Sequence, residues 1–225
     1  MTTRVELFRG RLHYGPGVVL HTASSGSVCY LDELYLRFST KHGILALGGI
    51  RTNVEYLTQI SGDKIEQQVT DWLSSTNLHN GFSALLDASH QNETLSSPTR
   101  ALLDQTLHDG IARERGVPIC GLWRHDFGHG VDTNQTLFWS DDDAMLELAR
   151  RYVARGFKTL KLRLGVGSFD DDLRRLGKLR NELGDSVSLS GDVNGQWSDD
   201  DALSRIFALE PYNLSYIEQP VSKTS

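Results

Sequence analysis

Cysteine is nearly missing from this chain: only Cys29 and Cys120 occur in 225 residues, far apart and in no metal-type spacing. A disulfide framework and a zinc site are therefore not expected, and a reducing, cytoplasmic location is. Long apolar runs are missing as well. No stretch approaches the ~18 consecutive apolar residues of a membrane span, and the opening MTTRVELFRG has no apolar signal core. Nor is there a Lys/Arg-rich run, since 23 basic residues face 29 acidic ones for a net charge of −6. That balance suggests neither nucleic acid nor a membrane as partner and leaves a small molecule as the default.

What remains is a chain 39% hydrophobic and long enough to bury a sizeable core. Residues 1–80 read as a small α+β unit. RVELFRGRLHY and DELYLRFST alternate as strands, KHGILALGGI continues as a hairpin through His42-Gly43, and a helix is expected from Asp63 to Leu73. Between the first two strands, residues 15–30 (GPGVVLHTASSGSVCY) have the composition of a long loop. From Ser97 to Arg115 the apolar residues recur at helical spacing, and the helix should stop at Gly116 with Pro118 beyond it.

From residue 133 a strand, a Ser/Asp start signal and a helix recur three times. The starts lie at Ser140, Ser168 and Ser198, separated by 28 and then 30 residues. The acid clusters SDDDA, SFDDDL and SDDDA invite a metal reading, but Ser as N-cap followed by first-turn carboxylates is what unpaired helix N–H groups favour. The preceding strands are TLFW (136–139), TLKLRL (159–164) and SVSLSGDV (186–193), and a fourth, LSYIEQP (214–220), follows the last helix. Such units predict a parallel sheet, either a β/α barrel or an open doubly wound sheet, with the chemistry at the carboxyl ends of the strands.

At those ends stand Lys161 and Arg163, then Asp192 and Asn194, then Glu218. Period-2 geometry puts each of the first two pairs on a shared face. Two carboxylates from neighbouring strands facing one cavity are costly unless a cation lies between them. Oxygen-only ligands suggest a hard ion, Mg²⁺ before Mn²⁺ or Ca²⁺. Internal salt bridges from Lys161 or Arg163 to Asp192 or Glu218 are the other reading. RHDFGHG (124–130), with His125, Asp126 and His129, reads as an ordinary polar loop, and GVGSFD lacks the third glycine of a dinucleotide turn.

GFKTLKLRLG, LSGDVNGQWSDDDA and YIEQP, in that order and spacing, resemble the enolase superfamily, in particular its mandelate racemase and muconate lactonizing branches. The segment SPTRALLDQTLHDGIARERGVPICGLW is similar to the helix that links that family's capping domain to its barrel. The resemblance implies an α+β capping domain with linking helix over 1–130 and the first four strands of a β/α barrel over 131–225. It implies a lyase or isomerase that uses Mg²⁺ to remove the proton α to a carboxylate, through an enediolate, from a small carboxylate substrate, with a homo-oligomeric assembly. Among such reactions a sugar-acid dehydratase, or a related racemase or cycloisomerase, is expected; the alternative is a non-catalytic relative that binds or supports. By resemblance Asp192 and Glu218 are metal ligands, Asn194 supports them, and Lys161 holds the substrate carboxylate. Arg163 falls where the family usually has its catalytic lysine, and an arginine is a poor base and a better electrostatic clamp. Gly49 stands where the cap often carries a glutamate. A full barrel takes ~250 residues, so the third metal ligand and the opposing base are expected beyond residue 225.

Overall fold

The computed structural model describes residues 4–14, 19–22, 26–123 and 130–222, which fall into two compact units. One is built from 4–14 and 30–123. The other comprises 130–222 together with a short ribbon of β2 (Leu20–Thr22) and β3 (Gly26–Val28), which follow β1 (Arg4–His13) in the chain. The loop expected over 15–30 thus contains an antiparallel pairing of Leu20 with Val28 and Thr22 with Gly26. Strands of three residues carry too little alternation to be recognised in a sequence.

In the first unit β1, β4 (Tyr30–Thr40) and β5 (Gly43–Arg51) form an antiparallel sheet in the order β1-β4-β5. Leu34, Leu36 and Phe38 alternate onto one face of β4 and are buried there, as a half-buried strand requires. On that face pack residues of α2 (Gly62–Ser75), α3 (Phe82–Gln91) and α4 (Ser97–Arg115), which come after the single turn α1 (Glu55–Thr58). The long helix stops at Gly116, whose φ of 65° is the left-handed cap the sequence predicts. It also serves β5, an edge strand. Asp109 Oδ2 accepts from the Leu47 N–H at 2.9 Å, and Gln105 Nε2 donates to the Gly49 carbonyl at 2.7 Å.

On the opposite face of that sheet, the Tyr35 ring lies between Gly10 and Gly49. A Cβ on either would come within 2.9 or 2.7 Å of the ring. Gly49 is thus a packing requirement of Tyr35, which gives a physical reason why no glutamate stands there.

In the second unit β6 (Gln135–Leu137), β7 (Thr159–Arg163), β8 (Ser188–Asp192) and β9 (Leu214–Glu218) pair in parallel, in the order β6-β7-β8-β9. Connecting them are α5 (Asp142–Ala154), α6 (Phe169–Leu183) and α7 (Asp199–Leu209). Strictly sequential order is the winding of a barrel sheet; a doubly wound sheet would reverse direction at a switch point. Leu160, Leu162 and Leu164 join Met145, Ala149, Leu176 and Leu179 in one buried cluster, so the apolar side of β7 faces the helices.

The acid clusters cap and pair. Ser168 and Asp171 form a capping box, and Ser198 accepts from the Asp201 N–H. The Ser168 hydroxyl, then Arg174, hold the Asp171 carboxyl down at about 2. At the first repeat the cap is Asp141 and not Ser140, because the Asp141 carboxylate accepts from Ala144 N at 2.8 Å. With Ser140, Asp141 and Asp142 in succession, each able to cap, sequence alone could not choose the phase. Asp142 then pairs with Arg174 and Lys178 of α6. Among the described residues no helix is long and apolar enough to cross a membrane.

Candidate active site

Parallel register turns the strand-end residues into rows. Arg163 lies opposite Asp192, and Asp192 opposite Glu218, so three consecutive strands each contribute one charged residue to a single row. A register shift between Leu189 and Gly191 on the β8–β9 ladder is what brings Glu218 level with Asp192. Two residues earlier along the strands, on the same face by period-2 geometry, stand Thr136, Lys161 and Ser190.

The five residues singled out from the sequence converge. Lys161 Nζ lies 2.8 Å from Asp192 Oδ2 and 2.6 Å from Glu218 Oε2, lodged between the two carboxylates. Arg163 Nη1 also pairs with Asp192 Oδ2, and at 3.1 Å donates to Asn194 Oδ1. The Asn194 N–H returns to Asp192 Oδ1 at 3.1 Å. Internal salt bridges, one of the two sequence-level readings, are therefore present in the structure.

Backbone conformation supports this convergence. Asn194 and Gln219, each just past its strand, have φ of 53° and 42°, and Gly165 and Gly195 have 72° and 73°. Non-glycine residues held there cost ~1–3 kcal/mol each and persist only where surroundings impose them. Here the surroundings are a backbone zipper beyond the strands: Val193 N–H to Glu218 O, Gly195 N–H to Gln219 O and Trp197 N–H to Pro220 O.

Electrostatics settle the state of Lys161. Burial acts to lower its pKa, but hydrogen bonds to Asp192 and Glu218 outweigh it and hold the ammonium above its ordinary value. In this arrangement Lys161 is a cation and not a base. Asp192 is 1% exposed, and the two cations and two carboxylates sum to zero charge.

Two carboxylate oxygens from adjacent strands, with no sulfur or imidazole, suit a hard cation, and Mg²⁺ is often held by one or two carboxylates with other oxygens completing the shell. Among the described residues no group of three or more His, Cys, Asp or Glu side chains forms a cluster suited to a metal. A divalent ion would take the neutral quartet to a surplus of two positive charges, which calls for an anionic ligand. Two buried polar atoms lack a hydrogen-bond partner among the described residues here: Arg163 Nε and Ser190 Oγ. Ser190 was not singled out from the sequence, where VSLSG gives no cue that a serine shares the face of Asp192. RHDFGHG cannot join this site by observation, because residues 124–129 lie outside the described residues.

Beneath β7, Asp172 of α6 is fully buried. Burial pushes its carboxyl up to about 6, while the Gly165 N–H and the Arg175 charge act to lower it. The folded state thus holds this proton more tightly than the unfolded chain, whose carboxylate titrates near ~3.9. The contribution is fully present below about pH 4 and is lost as pH rises through about 6, a difference of about 3 kcal/mol by neutral pH. Urea unfolding of the wild type and Asp172→Asn at stepped pH should show the wild type losing ground to the variant between pH 4 and 7. A pH-independent difference would refute the assignment.

Comparison with known proteins finds relatives in sequence and in fold. Residues 144–225 match the family model described as Enolase C-terminal domain-like. The L-Ala-D/L-Glu epimerase of Bacillus subtilis is 28% identical over 145 residues, covering 64% of this chain and 39% of that protein. The chloromuconate cycloisomerase of Pseudomonas putida is 30% identical over 127 residues, covering 56% of this chain and 34% of that protein. A crystal structure of the dipeptide epimerase from Cytophaga hutchinsonii, complexed with Mg and the dipeptide D-Ala-L-Val, superposes with a TM-score of 0.76 at 25% identity, over 99% of this chain and 60% of that one. The chain spans well under two thirds of the length of each. Such relatives are epimerases and cycloisomerases, and their fold makes the second unit part of a β/α barrel. Through the match over 144–225 and the fold it shares with these enzymes, the chain is similar to enolase-superfamily enzymes of the mandelate racemase and muconate lactonizing kind.

Proposed function

We propose that this chain supplies one side of an active site for Mg²⁺-dependent removal of the proton α to a carboxylate, leaving an enediolate. The observation that carries the reading is the row Arg163, Asp192, Glu218 with Lys161 between the carboxylates. Asp192 and Glu218 would hold the ion, which when bound supplies positive charge where the substrate's carboxylate oxygens gain negative charge. Lys161, released from the carboxylates, and Arg163 would face the substrate carboxylate as cations fixed before the reaction starts. Asn194 keeps Arg163 and Asp192 in register through its amide and its backbone N–H.

Arg163 also bears on the reaction type. A guanidinium titrates above ~12 and cannot collect a proton near neutrality. A base on β7 is then missing, and chemistry driven from the opposite side is favoured, as in a cycloisomerisation or the dehydration of a sugar acid. Epimerisation, the activity printed in the names of several relatives, is disfavoured for this chain in any form that needs a base on β7.

A protein that carries this chain together with the opposing strands expected beyond residue 225 should be incubated with Mg²⁺ in D₂O and a panel of muconates, dipeptides and sugar acids, with α-deuterium and stereochemistry followed by NMR. Deuterium entry without inversion is expected for at least one class, reduced at least ~100-fold in Asp192→Asn. Arg163→Lys, which returns a titratable amine to β7, should raise the inverted fraction by on the order of 10²-fold. Inversion by the wild type would contradict the one-sided reading, and no exchange with any substrate would favour the non-catalytic alternative.

A further inference from the structure

Two arginines of α6 act as clamps on backbone carbonyls, and they do so at opposite ends of the sheet. Arg180 works at the ends where β8 and β9 begin. Its Nε donates to Tyr212 O at 2.7 Å, its Nη1 to Val187 O at 2.8 Å and Gly184 O at 3.0 Å, and its Nη2 to Asn213 O at 2.8 Å. Arg175 works at the end that carries the candidate site. Its Nη1 donates to Arg163 O at 3.0 Å and its Nη2 to Phe138 O, just past β6, at 3.3 Å. The guanidinium also lies 4.4 Å from the centre of the Trp139 ring.

One turn earlier on the same helix, Asp172 Oδ2 accepts from Gly165 N–H at 2.8 Å. The backbone is therefore held at Arg163 by its carbonyl and two residues later by its N–H, with the left-handed Gly165 at the second anchor. Arg175 is 1% exposed and Asp172 is fully buried. Placing an ionised guanidinium there carries a desolvation cost of several kcal/mol, and an apolar side chain of similar volume would avoid it. Stability therefore does not account for the choice, whereas fixing two strand ends with one planar, forked donor does.

We propose that Arg175, assisted by Asp172, is a positioning residue of the candidate site: by gripping the carbonyls of Arg163 and Phe138 it fixes the end of β7 at the height where the Arg163 guanidinium meets Asp192 and Asn194. Its effect on turnover rests on the reading of Arg163 given above; its effect on the Arg163 side chain does not.

Arg180 supplies the control, because it is a clamp of the same kind on the same helix, away from the site. In ¹⁵N-arginine-labelled protein, the Arg163 Nη–H signal, identified by its loss in Arg163→Lys, reports on the pairing with Asp192 and Asn194. Arg175→Lys keeps the charge but cannot reach two carbonyls with one planar fork. It should shift that signal and speed its exchange with water by at least tenfold, whereas Arg180→Lys, compared at equal loss of thermal stability, should leave both unchanged. Asp172→Ala, which removes the Gly165 anchor, is the second variant if Arg175→Lys does not fold, with the same shift expected. An unchanged Arg163 signal in the variant that folds, or an equal change in Arg180→Lys, overturns the proposal. Where the wild type exchanges α-deuterium, Arg175→Lys should slow it at least tenfold and Arg180→Lys less than twofold. Absence of exchange in the wild type would count against the functional reading, while the Arg163 signal alone would still decide the positioning role.

Discussion

Asp192→Ala is expected to destabilise the second unit by about 3–5 kcal/mol, the cost of removing one partner from a buried charge cluster. Asp192 is 1% exposed and accepts from Lys161, Arg163 and the Asn194 N–H. The side chains of Lys161 and Arg163 are themselves only 12% and 19% exposed, so the alanine leaves two cations with little water. Glu218, 52% exposed, is the remaining counter-charge and pairs with Lys161. Burial opposes the Lys161 charge, and with the hydrogen bond to Asp192 gone one of the groups that outweigh it is lost, so its pKa should fall. Asparagine should cost almost as much, since its amide brings N–H donors toward two groups that are donors only. Lys161→Met in the Asp192→Ala background should recover part of the loss, as the two changes share one cluster. Urea unfolding of the four proteins checks this: full additivity would mean that the cluster does not act as a unit. On the proposed function, in which both carboxylates hold the ion, Mg²⁺ should raise the wild-type midpoint and leave that of Asp192→Ala unmoved.

Much of this site was legible because a strand's period is short and unambiguous. In TLKLRL, Leu160, Leu162 and Leu164 had to share one face, which left Lys161 and Arg163 together on the other; the same rule paired Asp192 with Asn194 in GDVN, whereas the strand ends at Asp192 and a left-handed turn brings Asn194 beside it. Glu218 was harder, since a register shift on β9 sets its height and no residue announces it. Periodicity left open barrel against doubly wound sheet; strand order decided it. The residues under the site were not legible at all. In FDDDLRRLGKLRNEL, Arg174 and Arg175 are adjacent, yet one pairs with Asp142 at the surface and the other is buried under two strand ends. A strongly charged helix offers no pattern by which to separate them, because burial of an arginine depends on carbonyls supplied by strands distant in sequence. Gly49, read from the sequence as lacking a carboxylate, is a place where the ring of Tyr35 leaves no room for a Cβ, a reason the sequence does not show.

Leu162→Ala should cost about 2–5 kcal/mol, and the upper half of that range is expected. The side chain is fully buried on the helix-facing side of β7, in the cluster with Met145, Ala149, Leu176 and Leu179. The size of such a loss depends on whether neighbours can move into the vacated volume. Across the ladder Leu162 lies level with Leu137 on one side and Gly191 on the other. Gly191 has no side chain to contribute. The space a Cβ would occupy there is already used, since it would lie 2.6 Å from Leu164 Cδ1. Collapse from the β8 side is therefore blocked, and the cavity should persist. Leu137→Ala removes the same number of atoms from the edge strand β6, where relaxation is easier, and should cost less. Urea unfolding with an unchanged m value and a lowered midpoint is the expected signature. Equal losses for the two leucines would show that the glycine in β8 does not limit repacking around β7. Because Lys161 and Arg163 stand on the opposite face of the same strand, Leu162→Ala should leave Mg²⁺-dependent stabilisation intact at a temperature where the variant stays folded, whereas Asp192→Ala should abolish it.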